Sequence, residues 1–408
     1  MKLKNTTIVI LGAAKFDGIY ESTSFTTAKF LAKENDVIYV DYPYTFKDCL
    51  KEKGTPGHDR RKAHFSEHNI QLIDTSVERL KVMIPSPVLS LNFLPEGKLY
   101  RFLLKWNERR IASKISRLLK SRKVSDFIFI NSFNFHYPTI ASRIGATLSV
   151  YQCVDPLIID YDKRHGEVSE VILARTSDVV VCTSKQLYRE KLLLNDNTFF
   201  VANAADLSHS AKTLDENLAV HSALYNIPHP IIGYFGHIER RMDFPLLTKL
   251  IKLHAEKSFV FVGPVSEEFV PAGFKDPKNV FFTGRLDYQD MPAVIKGFDV
   301  AIIPFKEDDV SKTIFPLKLF EYLGAGKPVV ATEFNLDLAE FTGDAVVYAN
   351  DVKKFGDALD FFIAHDHDDA KRARLKIAAE NTWEARIQQL GLLLYDFYQL
   401  KLTAKVLI

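Results

Sequence analysis

The sequence predicts an α/β chain built from two Rossmann-like domains, each with a parallel sheet. Three observations carry the prediction. The chain has 408 residues, whereas single cores stop growing at about 250–300. Short β-branched and aromatic runs alternate with longer helical patterns in two separate series. Between the series lies a polar stretch, residues 204–230, with no strand signal.

The first series is TIVIL (7–11), VIYV (37–40), FIFI (127–130), LSVYQCV (148–154), VVVC (179–182) and FFVA (199–202). The second is IIGYF (231–235), FVFVG (259–263), VFFTG (280–284), VAIIPF (300–305), PVVAT (328–332) and AVVYA (345–349). All are apolar on both faces, as parallel strands covered by helices must be. Residues 204–230 read as the linker. At the end of the chain Trp383, Ile387, Leu390, Leu394 and Phe397 recur at helical spacing, so an amphipathic helix must dock there. The expected domains are 1–210, 211–382 and a C-terminal helix, 383–408, crossing back toward the first domain. Ligands in such sheets sit beyond the carboxyl ends of the strands, so the residues after each strand are the ones to inspect.

Lysine and arginine number 53 against 51 acidic residues, a balance that gives no reason to expect nucleic acid as a partner. Cys49, Cys153 and Cys182 are odd in number and widely spaced, and read as reduced thiols of a cytosolic protein. The start, MKLKNTTIVILGAAKFDG, reads as a first strand rather than a signal peptide, since Gly12 and Lys15 break its apolar run. No apolar stretch reaches the roughly 18–20 residues of a spanning helix.

The segment TIFPLKLFEYLGAGKPVVAT (313–332) is the most informative. Pro316 suits the first turn of a helix, LKLFEYL continues it, and Gly324 and Gly326 stop it. Free N–H groups near residues 313–317, with Lys318 in the first turn, make an anion site. Glu321 lies three residues on, about 4.5 Å along the axis and on the same face. A carboxylate there can accept two hydrogen bonds from a sugar diol. The same spacing also fits an ordinary surface ion pair.

PLKLFEYLGAGKPVVAT resembles the donor-binding segment of the GT-B glycosyltransferases, especially the bacterial family 4 (glycosyl transferases group 1) type. IIGYFGHIERRMD resembles the first strand and glycine loop of that family's C-terminal domain, and NVFFTGRLDYQDMPAVIKGFDVAIIPF its base-binding loop and next strand. NTWEAR is similar to the start of its terminal helix, and YQCVD, RTSDVVVCTSKQLYREK and FFVANAADL to stretches of its first domain. The resemblance implies two Rossmann-like domains facing across a cleft, and a nucleotide-sugar as co-substrate with no further cofactor. It places Glu321 on the ribose and Lys318, with the amides near Pro316 and Leu317, on the distal phosphate. Arg285 and Leu286 fall beside the base, Arg241 faces the diphosphate, and Gly12 and Gly236 complete the donor set. Two positions depart from the pattern. Thr313 stands where many members carry a second glutamate, and His237 follows Gly236 where an arginine is common.

Glycosyl transfer needs a stabilised departing diphosphate, which Lys318, Arg241 and a helix N-terminus supply without a metal. DYD (160–162) reads as a polar loop and HDHDD (365–369) as a solvated loop between helices, neither as a metal site. An inverting reaction would need a general base, and Asp17, His136 and Asp155 each follow a strand. Their plainer readings are a turn cap, a loop histidine and a helix N-cap before Pro156. Residues 98–123 form a basic amphipathic helix that suits an anionic membrane or a lipid-linked acceptor, or else a packed helix with a solvated basic face.

The expected activity is transfer of a sugar from a UDP- or GDP-linked donor to a glycan or lipid-linked acceptor in polysaccharide biosynthesis. The expected site of action is the cytoplasm or the inner face of its membrane. An epimerase or phosphorylase of the same fold, or a catalytically silent sugar-nucleotide-binding protein, are the alternatives. A dehydrogenase is disfavoured because ILGAAKFDG lacks the Gly-x-Gly-x-x-Gly order.

Overall fold

A computed structural model describes residues 1–18, 22–204 and 207–406. The chain divides into two compact units: unit 1, Met1–Ala202 with Arg386–Ile408, and unit 2, Asn203–Ala385.

Unit 1 holds eight strands: β1 (Thr7–Gly12), β2 (Asp36–Val40), β3 (Ile73–Asp74), β4 (Leu80–Met83), β5 (Ile128–Ser132), β6 (Leu148–Cys153), β7 (Val179–Cys182) and β8 (Thr198–Phe200). Their order is β3-β4-β2-β1-β5-β6-β7-β8. Every pairing is parallel except β3 with β4. That hairpin corrects the all-parallel expectation. β3 has two residues, and in β4 Lys81 reaches out to Asp74 at 2.7 Å, so neither shows the two-faced apolar run that marks the other strands. Val9, Leu11, Ile38, Val40 and Phe129 form one core with Tyr100, Leu104, Ile111 and Ile115 of the Lys98–Ser121 helix.

Unit 2 holds β9 (Ile231–Phe235), β10 (Ser258–Val262), β11 (Val280–Gly284), β12 (Val300–Ile303), β13 (Val329–Ala331) and β14 (Val346–Tyr348). The order is β11-β10-β9-β12-β13-β14, parallel throughout. Strand order reverses between β9 and β12, so the segments following these two strands bound the crevice where such sheets take ligands.

The stretch read as a linker is structured and belongs to unit 2. It forms the short helices Leu207–Ser210, Ala211–Leu214 and Ser222–Leu224. Thr213 donates to the Pro292 carbonyl at 3.2 Å, and a β-carbon on Gly297 would stand 2.7 Å from Leu224 and 2.9 Å from Val220. Burial of Leu224 thus replaces any spacer role. Residues 205 and 206 lie outside the described residues.

The last helix spans Trp383–Val406, and from Arg386 onward it belongs to unit 1. Ile387, Leu390 and Leu394 are buried, Phe397 meets Phe199 edge-on at 5.6 Å, and Lys405 pairs with Asp126 at 2.8 Å.

The Lys98–Ser121 helix carries less free charge than its composition implies. Lys114 is buried and donates to the His64 carbonyl at 2.5 Å, and burial pushes its amine down to about 8. Arg110 pairs with Glu67 and donates to the Pro87 carbonyl, and Arg117 donates to the Glu67 carbonyl. These cations hold residues 64–87 in place rather than facing solvent as one basic surface. Cys153 and Cys182 are buried, Cys49 is half-buried, and all three are free thiols.

Candidate functional site

The site is built at the carboxyl edge of the unit 2 sheet. β9 is followed by Gly236, whose φ of 147° suits only glycine, and whose N–H donates to the Val262 carbonyl at 2.8 Å. Gly263, with φ 144°, lies so close that a β-carbon on it would stand 2.1 Å from the Gly236 carbonyl oxygen. The two glycines let the ends of β9 and β10 approach and leave open space above Gly236. Lys318 fills it: a β-carbon on Gly236 would stand 2.2 Å from the lysine Nζ.

Lys318 is the second residue of the Leu317–Gly324 helix. Pro316 is the N-cap of this helix rather than a residue of its first turn, and no side chain caps the end. The Leu319 N–H donates to the Pro316 carbonyl at 3.2 Å, and the N–H groups of Leu317 and Lys318 bond no described residue, which leaves them for a ligand. The Lys318 amine donates to the Tyr234 hydroxyl at 2.8 Å and lies 4.0 Å from that ring's centre and 5.4 Å from that of Phe305. The residue as a whole is half-buried. Burial first, and then the charge of Arg241, push its pKa down to about 7. Arg241 lies over Phe305 at 5.7 Å and is paired with Glu239.

One turn along the helix, Glu321 is 8 % exposed and accepts a 2.8 Å hydrogen bond from the Tyr288 hydroxyl. Tyr288 stacks on His209, with ring centres 4.4 Å apart. Arg285 and Leu286 follow Gly284, whose φ is 72°, at the end of β11. Tyr322 accepts a 2.8 Å hydrogen bond from the Phe235 N–H, which ties the helix to β9. Thr313 is buried and spends its hydroxyl on the Val310 carbonyl at 2.6 Å. The result is an edge of the sheet with Lys318, Arg241 and the start of a helix at one end and a buried carboxylate, Glu321, one turn away.

Residues 229–365 match the family model of the glycosyl transferases group 1. Over nearly the whole chain, the structure is similar to a sucrose-phosphate synthase from Thermosynechococcus elongatus (TM-score 0.64, 15% identity, 97% of this chain and 100% of that one). It is also similar to Anabaena HepE in complex with UDP and glucose (TM-score 0.59, 15% identity, 96% and 100%). The fold is GT-B, and the group 1 match falls within its second unit. A protein of Bacillus subtilis (strain 168), named as the teichuronic acid biosynthesis glycosyltransferase TuaH, is 25% identical over 213 residues. That match covers 48% of this GT-B chain and 53%, about half, of the relative's length.

The GT-B chain brings Gly236, Arg241, Arg285, Leu286, Pro316, Leu317, Lys318 and Glu321 into unit 2, and Gly12, Asp17, His136 and Asp155 into unit 1. Gly12 has a packing reason of its own, since a β-carbon there would stand 1.8 Å from the Tyr39 hydroxyl oxygen. Asp17 is poorly suited to take a proton. Burial opposes its ionisation, but Arg61 at 2.5 Å outweighs it and holds the carboxyl below its ordinary range. His136 is half-buried, with Nε2 3.6 Å from Asp162 Oδ1. Asp155 is exposed after β6 and caps no helix, because the next one begins at Asp160 with Ile159 as N-cap. DYD therefore lies in that helix's first turn, not in a loop. In HDHDD, His367 caps the Asp368–Glu380 helix and Asp366 pairs with Arg374 at 2.7 Å.

Sequence reasoning missed Tyr234, Glu239 and Tyr288. Tyr288 stands three residues after Arg285 in a loop already singled out, so its hydroxyl was within reach of inspection. Among the described residues, His254, Glu256 and Asp360 form a grouping of metal-ligand type. The Lys257 amine sits within it, 2.7 Å from Asp360 and 2.8 Å from His254 Nδ1.

Proposed function

We propose that this GT-B chain transfers a sugar from a nucleoside-diphosphate donor, UDP- or GDP-linked, to a hydroxyl of a glycan or lipid-linked acceptor in polysaccharide biosynthesis. The observation that carries the reading is the Lys318 amine held over Gly236 at a bare helix N-terminus, with Glu321 buried one turn away. The diphosphate sits on the first N–H groups of the helix with Lys318 beside it, and Arg241 exchanges Glu239 for phosphate oxygen. These groups oppose the negative charge that grows on the leaving diphosphate as the glycosidic bond breaks, so transfer needs no metal. Glu321 accepts hydrogen bonds from the ribose hydroxyls, with Tyr288 fixing its orientation. Arg285 and Leu286 flank the base.

Unit 1 supplies the acceptor site. The protein works on the cytoplasmic side, where the half of the Lys98–Ser121 helix bearing Lys98, Lys105 and Arg109 with exposed Phe102 and Trp106 docks on an anionic inner leaflet. Among the described residues no helix is long and apolar enough to cross a membrane.

Thermal unfolding against UDP-, GDP-, ADP- and TDP-sugars tests the donor reading. A donor at 100 times its dissociation constant adds about 2.7 kcal/mol. Glu321→Ala and Lys318→Ala each remove most of that gain, and unchanged shifts in both overturn the site. Thr313, buried where many group 1 sequences carry a glutamate, favours a silent binding protein as the second reading. Donor turnover in the presence of acceptor glycans decides between them, and conversion of donor without acceptor indicates an epimerase instead.

A further inference from the structure

The loop after β9 carries a carboxylate where the negative charge of the donor must come. Glu239 lies three residues past Gly236, and its side chain is 12 % exposed. Its Oε1 pairs with Arg241 Nε, and its Oε2 stands 3.8 Å from Arg240 Nε. The two oxygens thus face two guanidinium groups, as two oxygens of a phosphate would. After burial and Arg241, its charge is also among the influences on the ionisation of Lys318 and Tyr234. Arg240, Arg241 and Lys318 therefore all answer to one internal anion.

These ion pairs fasten no distant parts of the fold together. Both arginines are neighbours of Glu239 in one loop, and backbone hydrogen bonds already hold that loop on two sides. The Ile238 N–H donates to the Pro264 carbonyl at 2.9 Å, and the Ser266 N–H to the Ile238 carbonyl at 2.9 Å. The Asp243 N–H donates to the Pro304 carbonyl at 2.7 Å, and the Lys306 N–H to the Arg241 carbonyl at 2.8 Å. With the backbone fixed, a ligand that needs the arginines frees them only by turning the Glu239 side chain out to solvent. A carboxylate left in place beside a diphosphate would repel it, the more so where water is scarce.

Charge decides which ligand is disfavoured most. When the bond from the anomeric carbon to the diphosphate breaks, the phosphate oxygen keeps the electron pair. The nucleoside diphosphate product therefore carries one more negative charge than the sugar-linked donor, and repulsion from Glu239 grows with that charge.

We propose that Glu239 is a built-in competitor for the diphosphate, displaced by the donor through a side-chain rotation and returning to expel the nucleoside diphosphate after transfer. The expulsion rests on the glycosyltransferase reading; the competition with an anion does not.

The experiment titrates the full chain, Glu239→Gln and Glu239→Ala by calorimetry with inorganic pyrophosphate, with UDP and GDP, and with the β-methyl esters of UDP and GDP. The esters carry the charge of a donor without depending on its sugar. Loss of a donor contact, or of support for Arg241, would weaken binding; loss of a competitor strengthens it. Glu239→Gln binds pyrophosphate and the preferred nucleoside diphosphate about tenfold more tightly than the wild type, and the matching ester only about threefold. Pyrophosphate affinity raised in neither variant overturns the competitor. Equal gains for nucleoside diphosphate and ester overturn the expulsion. Tighter pyrophosphate binding with no binding of UDP or GDP sinks the donor reading, and the expulsion with it, and leaves the competitor standing.

Discussion

The amine of Lys318 occupies the space that a β-carbon on Gly236 would fill, with only 2.2 Å between them. The glycine is therefore as much a part of the anion site as the lysine. Gly236→Ala would both strain a backbone at φ 147° and push the amine off Tyr234. We expect donor affinity to fall at least tenfold while the rest of unit 2 stays folded, read by calorimetric titration with UDP-sugar and by far-UV circular dichroism.

Lys318 also predicts a pH dependence. Its pKa is about 7 in the empty site, and a bound diphosphate raises it. Below pH 7 the amine is already charged and affinity is greatest. Above pH 7 binding must take up a proton, and affinity falls by up to tenfold per unit until the raised pKa of the complex is reached. Titrations at pH 8 in buffers of different ionisation enthalpy should show uptake of nearly one proton per donor bound. Lys318→Gln should bind weakly with a flat profile between pH 6 and 9.

Much of this was legible because parallel strands buried on both faces announce themselves as apolar runs, and a helix that follows a strand and starts at a proline carries its own anion site. β3 and β4 were not legible, since an edge hairpin with Lys81 turned outward has no such run. Lys114 lies three residues after Ile111 and four before Leu118, so its phase places it on the buried face, but nothing in the sequence shows that the His64 carbonyl, 50 residues away, waits there for its amine. A small cavity of unit 1 lined by Tyr42, Tyr100 and Tyr137 was further out of reach: these residues share no spacing, and only the chain's three-dimensional course joins them.

The pairing of Glu321 with Tyr288 separates orientation from binding. Glu321→Gln keeps the shape but halves the acceptor capacity of the group, whereas Tyr288→Phe leaves the carboxylate in place and removes the hydrogen bond that aims it. Loss of one such bond to a charged group corresponds to about 1.5–3 kcal/mol. We expect Tyr288→Phe to weaken UDP binding roughly tenfold and Glu321→Ala to exceed it. In the double variant the tyrosine change adds nothing, because its effect passes through the carboxylate.

Arg61 carries the last prediction, on stability. Its guanidinium is fully buried, with Nε 2.7 Å from Asp41 and Nη2 2.5 Å from Asp17, and Asp41 is buried as well. Arg61→Met would strand the Asp41 carboxylate without a counter-charge, at about 3–5 kcal/mol of unfolding free energy. Burial already raises the Asp41 pKa, so the stranded carboxyl would protonate more readily still. Asp41→Asn in the Arg61→Met background should regain part of the loss, which a simple packing defect would not allow. The sign with pH follows from Asp17, whose folded pKa is depressed: its stabilisation is fully present above the ordinary carboxylate pKa and lost as pH falls through the lowered value. Arg61→Met should remove that segment of the acid-unfolding curve, so that denaturant titrations of wild type and variant converge at low pH; a constant gap between them would show that Asp17 draws nothing from Arg61.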